Sequence, residues 1–383
     1  MTSTLPALAK LKPNPAWAKL PLFSRKNWSR VRFGDVVRQL KEETDPAADG
    51  VERYVAGEHM ETENVHIRQW GNVGDGYLGP AFIRRFRKGQ VLYGSRRTYL
   101  KKVAVAEWDG VTANTTFVLE AVAGKLLPEL LPWLMLSETF TRHSVQESKG
   151  STNPYINFPD IAKFEFNLPP LDQQRGIAEL LWAVDETSNA WKATEAATLT
   201  ARETQINYFR QKSKLKVSCA EIVTLASGKS KPRDICDRAD SKNSVPVYGG
   251  NGIIGYTNSP LLTEATIVVG RVGEYCGCVH FAEGKSWITD NAIYIKELDK
   301  RISLPFIYWM LRAAKLNKKK KIAGQPLISQ STITEETIPL PSAKEQADFL
   351  ANIDQLTVVS KASANHCKAS SLVLAALTNS FCP

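Results

Sequence analysis

Cysteine is absent before position 219. The six that follow, Cys219, Cys236, Cys276, Cys278, Cys367 and Cys382, include no C-x-x-C pair. This excludes a disulfide framework and the common zinc spacings, and points to reduced thiols in the cytoplasm. The segment "CGCVH" (residues 276–280) places two thiols near an imidazole. Alternate residues of a strand share one face, so it reads as a half-buried strand, and no metal site is expected. Histidine is equally sparse: His59, His66, His143, His280 and His366 are scattered, and their spacing builds no acid–base constellation. P-loop, nucleophile elbow and H-E-x-x-H patterns are missing too. No apolar run approaches the ~20 residues of a membrane helix. The start "MTSTLPALAKLKPNPAWAKL" has prolines in its apolar stretch and no small-residue cleavage site, unlike a signal peptide. A binding protein without a membrane partner is expected rather than an enzyme.

Acidic residues are the last shortage. Lys and Arg number 49 against 39 Asp and Glu, a formal net charge of +10. Nucleic-acid affinity requires several phosphates to be neutralised, so a polyanionic partner fits this balance.

What the chain does have is length and self-similarity. Its 383 residues suggest two or three domains. "VRFGDVV" (31–37) resembles "VSCAEIV" (217–223), "LYGSR" (92–96) falls opposite "VVGRV" (268–272), and "TAN" (112–114) opposite "TDN" (289–291). Further on, "KGSTNPYIN" (149–157) answers "AGQPLIS" (323–329), and "LPPLDQQRGI" (168–177) answers "PSAKEQADF" (341–349). The order is kept while the separation narrows from about 186 to about 172 residues, as loop insertions do in a duplication. Each repeat is strand-rich with glycine-rich turns, then runs into a helical stretch, an α/β (α+β) pattern. In the first such stretch a 4,3 spacing picks out Ile177, Leu181, Val184 and Trp191; in the second it picks out Phe349, Ile353 and Leu356. Both seams turn small and polar in the middle, with Ser188 opposite Ser360, which suits two long helices packed on each other. Forty helical residues reach roughly 60 Å.

The spacing G-x-G-x-x-G occurs in "GDGYLG" (74–79) and in "GNGIIG" (250–255). A dinucleotide fingerprint must open a helix, and neither "PAFIRRF" nor "YTNSP" begins one. A duplicated structural turn is the expected role, since glycine tolerates positive φ. "NPYI" (153–156) has some likeness to the N-P-P-Y loop of amino-methyltransferases, but it lacks the second proline and no F-x-G-x-G cofactor loop accompanies it.

Basic residues interleaved with aromatics recur at matching places. In the first repeat these are Arg84, Arg85, Arg96, Arg97, Tyr99 and Lys101, followed by Lys149, Ser151, Thr152, Asn153 and Tyr155. In the second they are Lys229, Lys231, Arg233, Arg271 and Tyr275, then Lys318, Lys319, Lys320 and Gln325. Lys and Arg contact phosphates, while Arg, Asn, Gln, Ser and Thr pair with base edges, so these are the candidate DNA contacts. Two basic units with differing sequences predict two different half-sites, as the two chains of a dimeric repressor read two half-sites.

The segment "YINFPDIAKFEFNLPPLDQQRGIAELLWAVDE" (155–186) closely resembles the junction in specificity subunits of Type I restriction-modification systems, where a strand ending in proline precedes an E/Q-Q-x-x-I-x-x-x-L helix. "VPVYGGNGIIGYT", "TDNAIYI", "WSRVRFGDVV" and "KVSCAEIVTLASGK" are similar to the starts and middles of that family's target recognition domains. The second helix departs from the pattern, with Phe349 in place of the usual Ile. The resemblance implies an N-terminal extension (1–27), a first target recognition domain (28–167), a central spacer helix (168–212), a second target recognition domain (213–341) and a C-terminal spacer helix (342–383). It implies that each domain reads one half of an asymmetric, interrupted site in double-stranded DNA. The two antiparallel helices, a coiled coil, would recruit two adenine-N6 methyltransferase subunits, joined by motor-nuclease (restriction/translocase) subunits. S-adenosylmethionine, ATP and Mg would serve those partners, with no cofactor bound and no chemistry done by this chain. The rival readings are a free-standing adenine-N6 methyltransferase built on "NPYI" and an assembly scaffold whose basic surface reads no sequence.

Overall fold

A computed structural model of the chain describes residues 24–213, 215–319 and 326–382. It divides into two compact units: Met1–Lys192 with Asn365–Pro383, and Ala193–Ala364. The internal duplication is visible in the topology of each.

In unit 1 the short strand β1 (Ser29–Arg32) leads into a single helical turn, α1 (Phe33–Val36), and out into β2 (Val37–Leu40). Then come β3 (Arg53–Val55), β4 (Gly71–Asn72), β5 (Arg84–Phe86), β6 (Val91–Gly94), β7 (Val103–Val105), β8 (Gly110–Thr112) and β9 (Thr116–Ala121). Three helices, α2 (Leu131–Leu136), α3 (Glu138–Gln146) and α4 (Phe158–Ile161), precede β10 (Glu165–Leu168). There are two sheets of order β2-β9-β6-β7 and β4-β3-β8-β5 and a separate β1-β10 ribbon, and among the described residues of this unit only β3 and β8 run parallel. Pro169 and Pro170 supply no N–H to continue the ladder, and the helix α5 (Leu171–Lys212) begins directly after them.

Unit 2 repeats the plan. The strand β11 (Lys216–Ser218) enters α6 (Cys219–Ile222) through a capping box, in which Ser218 and Glu221 satisfy each other's backbone amides. There follow β12 (Val223–Ser227), β13 (Val245–Gly249), β14 (Gly252–Thr257), β15 (Thr266–Gly270), β16 (Val279–Ala282), β17 (Trp287–Ile288) and β18 (Ala292–Leu298). Helices α7 (Leu304–Ala313) and α8 (Gln330–Thr334), the strand β19 (Thr337–Pro339) and helix α9 (Ala343–Phe381) complete the chain. The sheet order β12-β18-β15-β16 matches β2-β9-β6-β7 strand for strand, and the pair β13-β17 is parallel like β3-β8. The "CGCVH" segment runs into β16 and, among the described residues, no group of side chains fit to hold a metal occurs.

Both long helices are shared by the two units. Every position of the two heptad series named above is buried or half-buried. In unit 1, Ile177 and Leu181 pack with Leu377 and Phe381, with Val184 against the same core. Trp191 stacks on His366 at 4.5 Å between centroids. In unit 2, Ile353 is fully buried, and Leu356 is half-buried. The Phe349 ring lies 4.8 Å from Phe209 and 5.5 Å from Phe306, so an aromatic trio fills the place that Ile177 holds in unit 1. Within each unit the two helices run antiparallel. Among the described residues no helix is long and apolar enough to cross a membrane.

Candidate nucleic-acid interface

Each unit roots its helix in its globular part through one buried glutamine. Gln174 accepts from the Leu127 N–H at 2.9 Å and donates to the carbonyls of Lys125 at 2.9 Å and Pro169 at 2.8 Å. Gln346 accepts from the Ser303 N–H at 2.8 Å and donates to the carbonyls of Arg301 at 2.7 Å and Pro341 at 3.2 Å. Each glutamine thus answers one backbone donor and two acceptors that would otherwise be stranded. Sequence reasoning passed over both, although each sits three residues before Ile177 or Phe349 in the helix signature.

Counting from those roots, one exposed edge of each unit superposes hydrogen bond for hydrogen bond. In unit 1 the Ser95 N–H donates to Thr115 O at 3.1 Å, Ile156 N–H to Ser95 O at 2.9 Å and Arg97 N–H to Pro154 O at 2.7 Å. In unit 2 the Arg271 N–H donates to Asn291 O at 2.9 Å, Ile328 N–H to Arg271 O at 2.8 Å and Gly273 N–H to Pro326 O at 3.0 Å. Arg271 therefore stands where unit 1 has Ser95, one residue before the position of Arg96. This is the register in which "LYGSR" falls opposite "VVGRV". Tyr99 and Tyr275 do fall on equivalent positions and are 53% and 54% exposed. Tyr155, bridged to Arg96, corresponds to Leu327, bridged to Val272, and both are exposed.

The turn that carries these groups is strained in one unit and relaxed in the other. Arg97 and Lys101 flank it with φ of 51° and 45°, whereas their counterparts Gly273 and Gly277 have φ of 96° and 85°. Glycine meets such backbone at no steric cost, while a side chain there costs on the order of 1–3 kcal/mol. Unit 1 keeps an arginine where unit 2 needs none.

The loop Lys149 to Tyr155 closes on itself through reciprocal backbone bonds of 2.7 and 2.9 Å. It lies beside Arg96 and Arg97 and presents Ser151, Thr152 and Asn153 to solvent. In "NPYI" the Pro154 carbonyl is taken by the Arg97 amide and the Asn153 side chain is exposed. In unit 2, Lys229, Lys231 and Arg233 are exposed, with Lys229 bridged to Thr289 beside the Asn291 carbonyl that anchors Arg271.

The cations separate into two groups. Arg84 pairs with Glu43 at 2.8 Å, Arg85 lies 4.0 Å from Glu42, and Lys149 meets Asp160 at 3.0 Å. Lys101 is held by Glu63 and Glu138, and Lys319 by Glu336. Burial alone would lower the Lys101 pKa, but the bonds to Glu138 and Glu63 outweigh it and raise it. Asp160 likewise raises Lys149, and Lys149 holds Asp160 below the usual carboxylate range. By contrast Arg96, Arg97, Lys229, Lys231, Arg233, Arg271 and Lys318 have no side-chain hydrogen bond or ion pair within the described residues. Lys320 and Gln325 lie outside the described residues.

The glycine motifs open no helix in either unit. They are not equivalent turns either: Gly74, Gly76 and Gly79 follow β4, whereas Gly250 and Gly252 close the β13–β14 hairpin and Gly255 lies within β14. The expected duplicated turn is thus two different turns that share a spacing. In unit 2 the need is close approach, because a Cβ on Gly270 would sit 2.0 Å from the Gly250 carbonyl oxygen.

A family model described as the Type I restriction modification DNA specificity domain matches the chain twice, over residues 26–201 and 212–365. The specificity subunit of the Type I restriction enzyme EcoprrI of Escherichia coli is 25% identical over 164 residues, covering 40% of this chain and 41% of that protein. The EcoDI specificity subunit, also of Escherichia coli, is 28% identical over 173 residues, covering 42% of this chain and 36% of its own length. The matched segments thus span less than half of these curated relatives. The solved S subunit of a Type I restriction-modification system from M. genitalium shares the fold with a TM-score of 0.64 at 15% identity, over 93% of this chain and 96% of that one. A chain from a structural study of type I R-M complex assembly gives 0.58 at 19% identity, over 92% and 97%. With the same edge built twice and both family matches falling on the two repeats, the chain belongs to the Type I restriction modification DNA specificity domain family.

Proposed function

We propose that this chain is the sequence-reading subunit of a Type I restriction-modification complex, each unit reading one half of an asymmetric, interrupted site in double-stranded DNA. The observation that carries this reading is the pair of edges: one backbone frame, which carries the exposed Arg96 and Arg97 beside a buried Ser95 in unit 1 and the half-buried Arg271, Val272 and Gly273 in unit 2. Different side chains on one frame fit two different half-sites. The unpaired cations on the same edges supply phosphate contacts that set register.

The exposed faces of α5 and α9, outside the seam, serve two adenine-N6 methyltransferase subunits, with restriction/translocase subunits completing the complex. S-adenosylmethionine, ATP and Mg are used by those partners; this chain binds none and performs no catalysis. The cytoplasm is the proposed compartment, in keeping with six cysteines joined by no disulfide.

The test is long-read methylation mapping in a methylation-free bacterial host expressing the chain with its methyltransferase subunit, and each alone. N6-methyladenine in an interrupted asymmetric motif only when both are present is the expected result. Methylation by this chain alone would move the chemistry to Asn153–Ile156. Methylation of the same motif by the partner alone would reduce the chain to a scaffold.

A further inference from the structure

We infer that the two glycine-rich turns carry apolar side chains that enter a DNA groove and determine sequence preference: Tyr77 in unit 1, and Ile253 with Ile254 in unit 2. The inference rests on the DNA-reading function proposed above and assigns it to residues outside the basic edge.

Tyr77 is 91% exposed, an aromatic ring held almost wholly in water. It lies between Gly76 and Gly79, where an added Cβ would meet nothing within 4 Å, so the loop stands clear of its own unit. The loop base is nevertheless fixed: the Asn72 side chain bonds the Asp75 carboxylate at 2.8 Å, and the Asn114 N–H donates to Ala81 O at 2.8 Å. The neighbouring Thr115 carbonyl receives the Ser95 N–H, so the loop is tied to the edge that bears Arg96 and Arg97.

Unit 2 reaches the same outcome by another route. A β-strand alternates its side chains between two faces, so adjacent residues should not both be exposed. Ile253 and Ile254 are 49% and 43% exposed, and both neighbours, Gly252 and Gly255, are buried. The cause is a register shift: Ile253 pairs with Tyr248 and Gly255 with Val247, which leaves Ile254 without a partner opposite. Such bulges re-aim side chains. The hairpin is pinned to the reading edge, since a Cβ on Gly250 would lie 2.7 Å from the Val272 carbonyl oxygen. Val272 directly follows Arg271, whose guanidinium has no hydrogen bond or ion pair among the described residues.

An exposed apolar group beside unpaired arginines is poorly suited to water and well suited to a duplex. Arginine meets phosphate, while aliphatic or aromatic atoms contact thymine methyls or wedge between base steps. Tyr99 and Tyr275 add matched aromatics to the same edges.

The experiment uses the full chain in complex with its methyltransferase subunits and a pool of randomised duplex DNA, sequenced before and after selection. Tyr77→Ala should lower enrichment of one half-site by about tenfold and leave the other intact. The double variant I253S/I254S should do the reverse. Tyr77→Phe should retain preference, and the salt dependence of binding should stay at the wild-type slope because no phosphate contact is lost. Circular dichroism melts confirm folding, with Tyr77→Gln as a second substitution should alanine disturb the loop. Wild-type enrichment of both half-sites by both variants overturns the inference. So does a uniform loss on all duplexes with a shallower salt slope. If the unsubstituted complex enriches no motif, the proposed function itself fails and the inference with it, and that failure is visible before any substitution is made.

Discussion

The helix root and the reading edge of each unit lie on one duplicated frame, yet the two regions differ in what they permit. At the root, Gln174 and Gln346 make the same three kinds of hydrogen bond to backbone groups of otherwise dissimilar loops. At the edge, equivalent backbone bonds carry a serine in one unit and an arginine in the other. Removing a buried side chain that answers a donor and two acceptors leaves all three unpaired. Ser95 is itself buried and bonded to the Thr115 carbonyl at 2.6 Å, but the exposed Arg96 and Arg97 that follow it on that fixed backbone have no such obligation. The frame is therefore held by polar groups that cannot vary, and recognition is left to groups that can.

The sharpest way to break this comparison is at the roots. Gln346→Ala should destabilise unit 2 by about 2–4 kcal/mol, from three hydrogen bonds at about 0.5–1.5 kcal/mol each and the desolvation of stranded partners. Gln174→Ala should do the same to unit 1. Two domains do not share one unfolding transition, so calorimetry should show each variant shifting one transition only. A loss under about 0.5 kcal/mol for either glutamine would mean the roots are not equivalent.

A smaller and deliberately unequal effect is expected at the glycines that end β6 and β15. Gly94 and Gly270 make the same bond, to Lys102 O at 3.0 Å and Cys278 O at 2.9 Å. A Cβ on Gly270 would meet the Gly250 oxygen at 2.0 Å, but on Gly94 only the Lys102 Cβ at 3.2 Å. Gly270→Ala should cost about 2–3 kcal/mol and distort the hairpin, while Gly94→Ala should stay within about 1 kcal/mol. Equal costs in urea titrations would show that the hairpin yields and is not pinned.

At the edge the comparison is between paired and unpaired cations. Arg271→Ala should weaken specific binding by about 1–3 kcal/mol and relax one half-site only. Arg84→Ala should change binding by less than about 0.5 kcal/mol, because its guanidinium is engaged by Glu43 at 2.8 Å and by the Lys41 carbonyl at 3.0 Å. Competition assays against mismatched duplexes distinguish the two. A uniform loss for Arg271→Ala would make it a phosphate contact.

The duplication and the two long helices were legible because each is written in spacing: motif order for the first, a helical period for the second. What spacing does not carry is partnership. Arg84, Lys101 and Lys149 read as available cations, and their carboxylates, Glu43, Glu63 with Glu138, and Asp160, come from segments that only folding brings near. Motif likeness did settle register at the edge, where "LYGSR" against "VVGRV" sets Ser95 opposite Arg271 as the backbone bonds do. The glycine spacings misled, because a glycine records that backbone must bend or approach, not which bend. Tyr77 and Ile254 were missed because exposure created by a bulge or a clear-standing loop has no periodic signature.

The least of these effects separates the units by pH. His66 of unit 1 lies 2.6 Å from Asp185 and 3.4 Å from Glu107, with Asn189 at 3.0 Å and the Trp182 ring edge-on at 6.0 Å. The hydrogen bond that the imidazolium donates to the Asp185 carboxylate raises its pKa above 6.5, working against burial, which lowers it. A histidine raised on folding stabilises the folded state fully below its unfolded value and loses that contribution as pH climbs through the folded one. Unit 2 has no counterpart, since the position of Asp185 is taken by Thr357, whose hydroxyl donates to Ile353 O at 2.8 Å. Between about pH 6 and about pH 8 the unit 1 transition should therefore fall relative to that of unit 2. His66→Gln should flatten the slope of the unit 1 transition, while the half-buried His280, whose pKa burial lowers, leaves unit 2 rising with pH in both proteins. If both transitions fall in parallel and the variant changes nothing, the His66–Asp185 contact contributes no pH-dependent stability, and the attachment of α5 to unit 1 rests on Gln174 and the apolar seam alone.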